Sequence, residues 1–219
     1  MLRIGGIDGL LHRSLRLVFA ATAIVAMTYQ FAVLNQRPSF APGNFFSFFT
    51  IQSNILGVVV LALAAVVPQA SRTRVFDTVR SGVTLYLLIT GVVFALLLAG
   101  LQEELQTTIP WVDFVVHKLV PAVIVIDWLV DPPRHRLPLA VAFAWLAYPL
   151  AWFAYTLLRG ARVDWYPYPF VDVGAHGYGR VLANGAVMAV GMALGALALA
   201  WLGNRRAAGP AQGAPRVAV

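Results

Sequence analysis

Long runs of apolar residues dominate this chain and predict membrane-spanning helices. A helix that crosses about 30 Å of hydrocarbon needs about 20 consecutive, mostly apolar residues. Six segments of the sequence meet this requirement, approximately residues 15–34, 45–67, 79–101, 109–130, 137–158 and 180–203. The pattern predicts an all-α integral membrane bundle of six transmembrane helices in one domain, residues 1–206. The remaining residues, 207–219, are rich in Ala, Gly and Pro and predict a disordered cytoplasmic tail.

The composition of the chain favours lipid over water as its solvent. Of the 219 residues 60% are hydrophobic and 11% are charged, whereas soluble domains carry about 25% charged residues. The net charge of +7 does not indicate a nucleic-acid partner, because the arginines form short clusters between apolar runs and no basic stripe with interleaved aromatics. Cysteine is absent and the four histidines are far apart, so the sequence predicts no metal site, and it shows no cofactor-binding motif.

The distribution of arginines predicts that both termini lie in the cytoplasm, since cytoplasmic loops carry the excess of positive charge. With the N-terminus inside, the inner segments hold Arg3, Arg13, Arg16, Arg72, Arg74, Arg80, Arg134, Arg136, Arg205, Arg206 and Arg216. The outer loops hold Arg37, Arg159, Arg162 and Arg180. The first apolar run is longer than the usual core of a cleaved signal peptide, so we interpret it as a span.

The fourth predicted span carries ionisable side chains, which cost several kcal/mol inside a bilayer unless they are paired or hydrated. Asp113 and His117 are four residues apart and share a helix face, where the carboxylate orients the imidazole either for chemistry or for packing alone. Lys118 faces elsewhere and is expected to snorkel to the outer interface rather than act in chemistry. Asp127 lies about 15 Å deeper than His117, where we expect a helix contact.

The second predicted span begins with hydroxyl and amide side chains. Thr50, Ser53 and Asn54 lie at helical spacing on one face, and Gln52 faces away from them. One interpretation of Thr50 is packing, because hydroxyls in membrane helices often bond a backbone or a neighbouring helix. The other interpretation is catalysis. Thr50 and His117 are expected roughly 8 and 12 Å below the outer surface, and side chains at such similar depths on parallel helices can meet. A histidine base that meets a threonine hydroxyl can activate it as a nucleophile. Asn54 or Gln52 would then stabilise the oxyanion.

The loop between the fifth and sixth predicted spans is rich in glycine, proline and aromatic residues. Such a composition predicts a structured turn-rich cap, which we expect over the outer opening between the second, fourth and sixth helices. The loop contains Tyr168, Asp172 and His176. His176 is either a second acid or base or an exposed loop histidine without a role in chemistry.

Three blocks of sequence carry a resemblance to a known family. They are Phe48-Phe-Thr-Ile-Gln-Ser-Asn54, His117-Lys-Leu-Val-Pro121 continuing to Asp127-Trp128, and Tyr168-Pro-Phe-Val-Asp172. With the six spans, they resemble the bacterial branch of the androgen-induced gene and androgen-dependent TFPI-regulating protein family over nearly the whole chain. The animal relatives are multi-pass hydrolases of fatty acid esters of hydroxy fatty acids. The resemblance implies a bacterial plasma membrane protein with Thr50 and His117 as the essential pair.

Three functions follow as competing hypotheses. The first is a membrane-embedded lipid ester hydrolase, with Thr50 as nucleophile, His117 as base and a lipid or fatty acid ester as substrate. The second is a transporter or lipid-binding scaffold, in which the acidic residues and His117 form a proton or substrate path. The third is a structural partner of another membrane protein. The sequence specifies no oligomeric state.

Overall fold

The computed structural model describes residues 7–105 and 109–207, and these residues form helices and no strand. The helices are α1 (Ile7–Leu34), α2 (Pro42–Phe45), α3 (Phe49–Val66), α4 (Arg74–Val93), α5 (Pro110–Phe114), α6 (Val120–Val130), α7 (Leu139–Ala144), α8 (Ala147–Val163) and α9 (Val173–Arg206). Two π-helical turns extend α4 (Phe94–Leu98) and join α5 to α6 (Val115–Leu119), and two short 3₁₀ turns lie at Gln69–Ser71 and Pro169–Val171. The predicted tail lies outside the described residues, except for Ala207.

Five helical stretches are long and apolar enough to cross a membrane: Gly9–Leu34, Phe49–Val66, Arg74–Leu98, Leu139–Val163 and Val173–Arg206. The prediction of an all-α, multi-pass membrane protein is therefore confirmed in its coarse form. The fourth predicted span is helical over residues 110–130, but it consists of α5, a π turn and α6, and none of these pieces exceeds 11 residues. Its crossing of the membrane stays a prediction.

The π turn in the middle of this segment has a local cause in the sequence. Pro121 has no N–H, so the carbonyl of His117 four residues earlier loses its usual helical donor. The N–H of Val120 instead bonds the carbonyl of Val115, five residues back, which is the pattern of a π turn. The freed His117 carbonyl lies beside Gly91 of α4, where an added Cβ would stand 3.4 Å from that oxygen.

The structure corrects the predicted start of the second span. Residues from 45 onwards were expected to be helical, but α3 begins at Phe49, after an extended Phe48 with φ −65° and ψ 128°. Thr50 therefore lies in the first turn of the helix instead of a turn and a half below its start. In the first turn backbone N–H groups have no partner inside the helix, and this position decides the environment of Thr50.

Other boundaries also differ from the hydropathy pattern, because polar caps set them. Helix α4 begins five residues before the predicted start at 79, where the Thr73 side chain accepts a hydrogen bond from the Phe76 N–H at 3.2 Å. Helix α9 begins seven residues before the predicted start at 180, where Asp172 accepts one from the Ala175 N–H at 3.1 Å. The predicted fifth span is divided into α7 and α8, and α8 continues to Val163.

A buried ionic cluster ties the helices together at the end of the bundle that contains the C-terminus of α6. Asp127 accepts hydrogen bonds from Arg16 of α1 at 2.6 Å and from Arg80 of α4 at 2.7 Å. Asp131 accepts one from Arg72 at 2.7 Å and another from Arg16. All five side chains are buried, and each carboxylate therefore depends on the arginines for its charge balance.

Candidate functional site

The first turn of α3 meets the loop before α9 through one tyrosine. The Tyr168 hydroxyl accepts a hydrogen bond from the Thr50 backbone N–H at 3.1 Å, and it lies 3.2 Å from Thr50 Oγ1. The Tyr168 hydroxyl thus supplies the partner that the first helical turn lacks. Both side chains are buried, with 6% of Thr50 and 5% of Tyr168 exposed.

Aromatic packing fixes Tyr168 in this position. Its ring stacks parallel to Phe170 at 5.3 Å and packs edge-on against Phe48 at 5.6 Å, and Trp152 of α8 lies 5.8 Å away. Burial raises the pKa of Tyr168, and the hydrogen bonds from Thr50 oppose the shift only in part. The phenol stays protonated at neutral pH and keeps its hydrogen for donation.

His117 is held on two sides inside the π turn. Its Nδ1 lies 2.9 Å from Asp113 Oδ1, and its ring stacks on Phe94 at 4.1 Å with an angle of 10° between the planes. A carboxylate at Nδ1 places the ring hydrogen there, which leaves Nε2 as the basic nitrogen. Phe94 belongs to the π turn that extends α4. The sequence does not predict its contact with His117, because that contact depends on how α4 packs against the α5–α6 segment.

Thr50 and His117 line the same small cavity. It measures about 10 Å³, roughly the room that one water molecule requires. Its lining side chains are Gln30, Phe48, Thr50, Ile51, Leu105, Val116, His117 and Tyr168. The cavity joins a hydroxyl, an imidazole and a phenol, which together form the polar partners that a water or a reacting carbonyl needs.

Asn54 connects the two halves of this site. Its amide nitrogen donates to the Thr50 carbonyl at 2.8 Å and to the Val116 carbonyl at 3.0 Å. Val116 directly precedes His117, so one side chain holds the first turn of α3 against the π turn. Both amide hydrogens of Asn54 are used in these bonds, and they are not free to stabilise an oxyanion.

The other polar residues of α3, Gln52 and Ser53, do not line the small cavity that Thr50 and His117 share. Gln52 donates to the Phe46 carbonyl at 2.8 Å and accepts from the Tyr148 hydroxyl at 2.7 Å, so its amide faces α8. Ser53 is fully buried and lines neither this cavity nor a larger one between α4, α8 and α9. The amides of Asn54 and Gln52 are thus both engaged with groups other than the Thr50 side chain.

The remaining predicted site residues are placed away from the cavity. Lys118 is exposed, and its Nζ lies 5.8 Å from the Phe94 ring. Asp127 belongs to the ionic cluster near the opposite end of the α5–α6 segment from Asp113. Asp172 caps α9, and His176 is exposed in the first turn of that helix. The structure thus brings together Thr50, His117, Asp113 and Tyr168 from the predicted set.

Around Tyr168, the loop covers the bundle partly as expected. Trp165 packs edge-on against Phe48 at 5.6 Å, and the Arg159 guanidinium lies 5.4 Å from the Trp165 ring centre. The segment Pro169–Val171 packs against α9. The residues after Asp172 are different, because they form the exposed first turns of α9 up to the bend at Gly177, which has φ +72°.

A second and larger cavity lies on the other side of the Thr50–Tyr168 pair. It measures about 90 Å³ and runs between α4, α8 and α9. Thr50 and Tyr168 line it as well, so these two residues form the wall that both cavities share. The sequence did not predict this cavity, since its walls come from three helices whose packing the apolar pattern does not specify.

No group of three or more histidine, aspartate or glutamate side chains suited to a metal ion occurs within residues 7–105 and 109–207. No protein-family model matches the chain, and no curated protein and no solved structure is significantly similar to it. The family resemblance of the sequence therefore stays a prediction.

Proposed function

We propose that this protein is an intramembrane lipid ester hydrolase in which Thr50 is the nucleophile and His117 the general base. One observation carries the proposal: a threonine and an aspartate-oriented histidine line one cavity inside an apolar bundle. A hydroxyl, a base and a group that orients the base are the parts that nucleophilic acyl transfer requires. An ester in the bilayer is a substrate that reaches such a site without leaving lipid.

The reaction proceeds in two halves. The Thr50 oxygen attacks the acyl carbon while its proton moves to Nε2 of His117, and Asp113 stabilises the imidazolium that forms. The bond between the acyl carbon and the alkoxy oxygen then breaks, and His117 returns the proton to the leaving alcohol. Water attacks the acyl-threonine with the same base, which releases a carboxylic acid and restores the Thr50 hydroxyl.

Tyr168 is the group best placed to stabilise the oxyanion. Its hydroxyl lies against the Thr50 Oγ1 and N–H, and its position at the start of α3 places it where the helix dipole favours negative charge. When a substrate carbonyl enters, the phenol and the Thr50 N–H both become donors to the developing charge. One such donor elsewhere contributes a factor of about 10²–10³ in rate.

The proposal includes six spans with both termini in the cytoplasm. It is supported by the placement of the buried arginine cluster near the C-terminus of α6, whereas Thr50 and His117 lie toward the opposite end of their segments. Under this topology the site faces the outer half of the membrane. Lipid substrates then enter from the outer leaflet.

Because the chain has no cysteine, single cysteines report the topology directly. We expect Glu103→Cys and Ala161→Cys to react with a membrane-impermeant maleimide in intact cells, and Ser71→Cys and Arg136→Cys to react only after permeabilisation. All four positions are exposed in the structure. Glu103 and Arg136 flank residues 110–130, so equal labelling of both in intact cells would show that this segment does not cross.

The function is tested by covalent labelling. A fluorophosphonate that carries a long alkyl chain should label the purified wild-type protein at Thr50, and Thr50→Ala should lose the label. His117→Ala should slow labelling strongly, because the hydroxyl loses its base. Labelling that is equal in wild type and Thr50→Ala would remove the hydrolase proposal and favour the lipid-binding scaffold, which needs the cavities but no nucleophile.

A further inference from the structure

Apolar side chains form most of the lining of the larger cavity. Apolar side chains from three helices contribute to this lining, among them Ile89, Val93, Pro149, Phe153, Met188 and Met192. Its volume of about 90 Å³ compares with about 10–15 Å³ for one water-sized group, so it has room for roughly six to nine such groups. A water-filled channel is excluded by this lining, because each water needs two to four polar partners.

Four side chains of the wall carry N–H or O–H groups, namely Thr50, Thr90, Trp152 and Tyr168. The Thr90 hydroxyl donates to the Tyr86 carbonyl at 2.9 Å, and the Trp152 ring N–H donates to the Ser47 carbonyl at 2.9 Å. Both are therefore already satisfied. The Thr50 and Tyr168 hydroxyls are bonded to one another and are free to exchange that bond for a carbonyl. An occupant with an apolar tail and one polar end fits this arrangement.

The lining of the cavity reaches the surface of the bundle at α8 and α9. Leu150 of α8 belongs to the lining and is 52% exposed, and the opposite wall is formed by Met188 and Ala189 of α9, which are only partly buried. Helices α8 and α9 contact each other at few places. A chain from the bilayer reaches the cavity between these two helices without passing through water.

We infer that this cavity is the acyl-chain site of the protein, that it holds one medium-length saturated chain, and that the chain enters between α8 and α9. The inference rests on the proposed function for the identity of the reacting end. It places the acyl carbon at Thr50 with its tail on one side of the Thr50–Tyr168 wall and His117 on the other. His117 then acts on Thr50 from the side of the wall that the tail does not occupy.

Two glycines of α9 provide a matched pair of variants. A Cβ on Gly185 would stand 2.7 Å from the Phe153 ring, which lines the cavity, whereas a Cβ on Gly191 would meet nothing within 4 Å. The leucine side chain of Gly185→Leu would therefore occupy part of the cavity. Gly191→Leu adds the same residue to the same helix on a face that is open.

The experiment uses the full chain in lipid nanodiscs with decanoic acid that carries a photoreactive diazirine at its methyl end. We expect saturable crosslinks at Met188 and Met192 in the wild-type protein. Gly185→Leu should lower these crosslinks about tenfold or more, since one methylene that no longer fits an apolar pocket already changes affinity by about that factor. Gly191→Leu should leave them unchanged.

The two proposals fail in distinguishable ways. Crosslinks at Met188 and Met192 in a protein that hydrolyses no ester would support the acyl site and overturn the hydrolase. Crosslinks scattered over outward faces and insensitive to Gly185→Leu would overturn the acyl site, even in an active enzyme. If Gly185→Leu does not fold, Ala189→Leu narrows the same wall and gives the same comparison.

Discussion

Thr50→Ala and His117→Ala should each reduce ester hydrolysis to the background rate, and the double variant should be no slower than either. The loss should be about 10³-fold or more, because a nucleophile and its base act as one unit and the removal of either removes both. Thr50→Ser should keep part of the activity, since it keeps the hydroxyl. The measurement is the rate of fatty acid release from a medium-chain ester by purified protein.

A matched control separates chemistry from packing. Thr156 is another buried threonine, 2% exposed, and it lines neither cavity. Thr156→Val should leave the rate of hydrolysis near that of wild type, whereas Thr50→Val should abolish it. Tyr168→Phe should lie between these results, with a loss of about 10²-fold for one oxyanion donor. Equal activity of Thr50→Val and wild type would show that Thr50 has only a packing role.

Asp127→Asn should be the most destabilising conservative substitution in the bundle, by about 3–5 kcal/mol, because it leaves the buried Arg80 without its carboxylate partner and Arg16 with Asp131 alone. The free energy of unfolding in mixed detergent micelles measures the effect. The exposed Glu103 supplies the control: Glu103→Gln should change stability by less than about 0.5 kcal/mol. An Asp127→Asn protein as stable as wild type would show that the arginines are hydrated.

Asp131 gives the same cluster a defined pH dependence. Burial raises the pKa of its carboxyl, but the positive charges of Arg80, Arg16 and Arg72 lower this pKa by a larger amount. The net pKa therefore lies below the ordinary value. A depressed folded-state pKa means that the stabilisation is present above the unfolded pKa and is lost as the pH falls through the folded one. The contribution of Asp131 is therefore complete at neutral pH and is lost only as the pH falls below the ordinary pKa of a carboxyl group.

The sequence predicted the helices well and their ends poorly, for separate reasons. Apolar runs identify a span because the bilayer demands them, and the long helices follow these runs. The start of α3 was placed too early because the apolar Phe45 and Phe46 continue the hydropathy pattern, although the chain at Phe48 is extended. Hydropathy reports what lipid accepts and carries no information about backbone dihedral angles.

The site was predictable only where it depends on local spacing. Asp113 and His117 follow from a four-residue step on one helix. The partner of Thr50 did not follow, because Tyr168 comes from a loop 118 residues away and is fixed by aromatic packing. The sequence pattern treats Arg16, Arg72 and Arg80 as charges of cytoplasmic loops, yet the structure buries them in ion pairs with Asp127 and Asp131.

The π turn at Val115–Leu119 makes the geometry of this region depend on residue count as well as residue type. Such a turn holds one residue more than the α-helical turn it replaces, and each residue in a helix corresponds to a rotation of about 100°. Deleting a single residue there would let the segment wind as an ordinary α-helix and would keep Asp113 on nearly the same face. The same deletion in α6 would instead rotate everything before it by about 100°. The π turn is thus the place in this segment where the loss of one residue changes the direction of the side chains least.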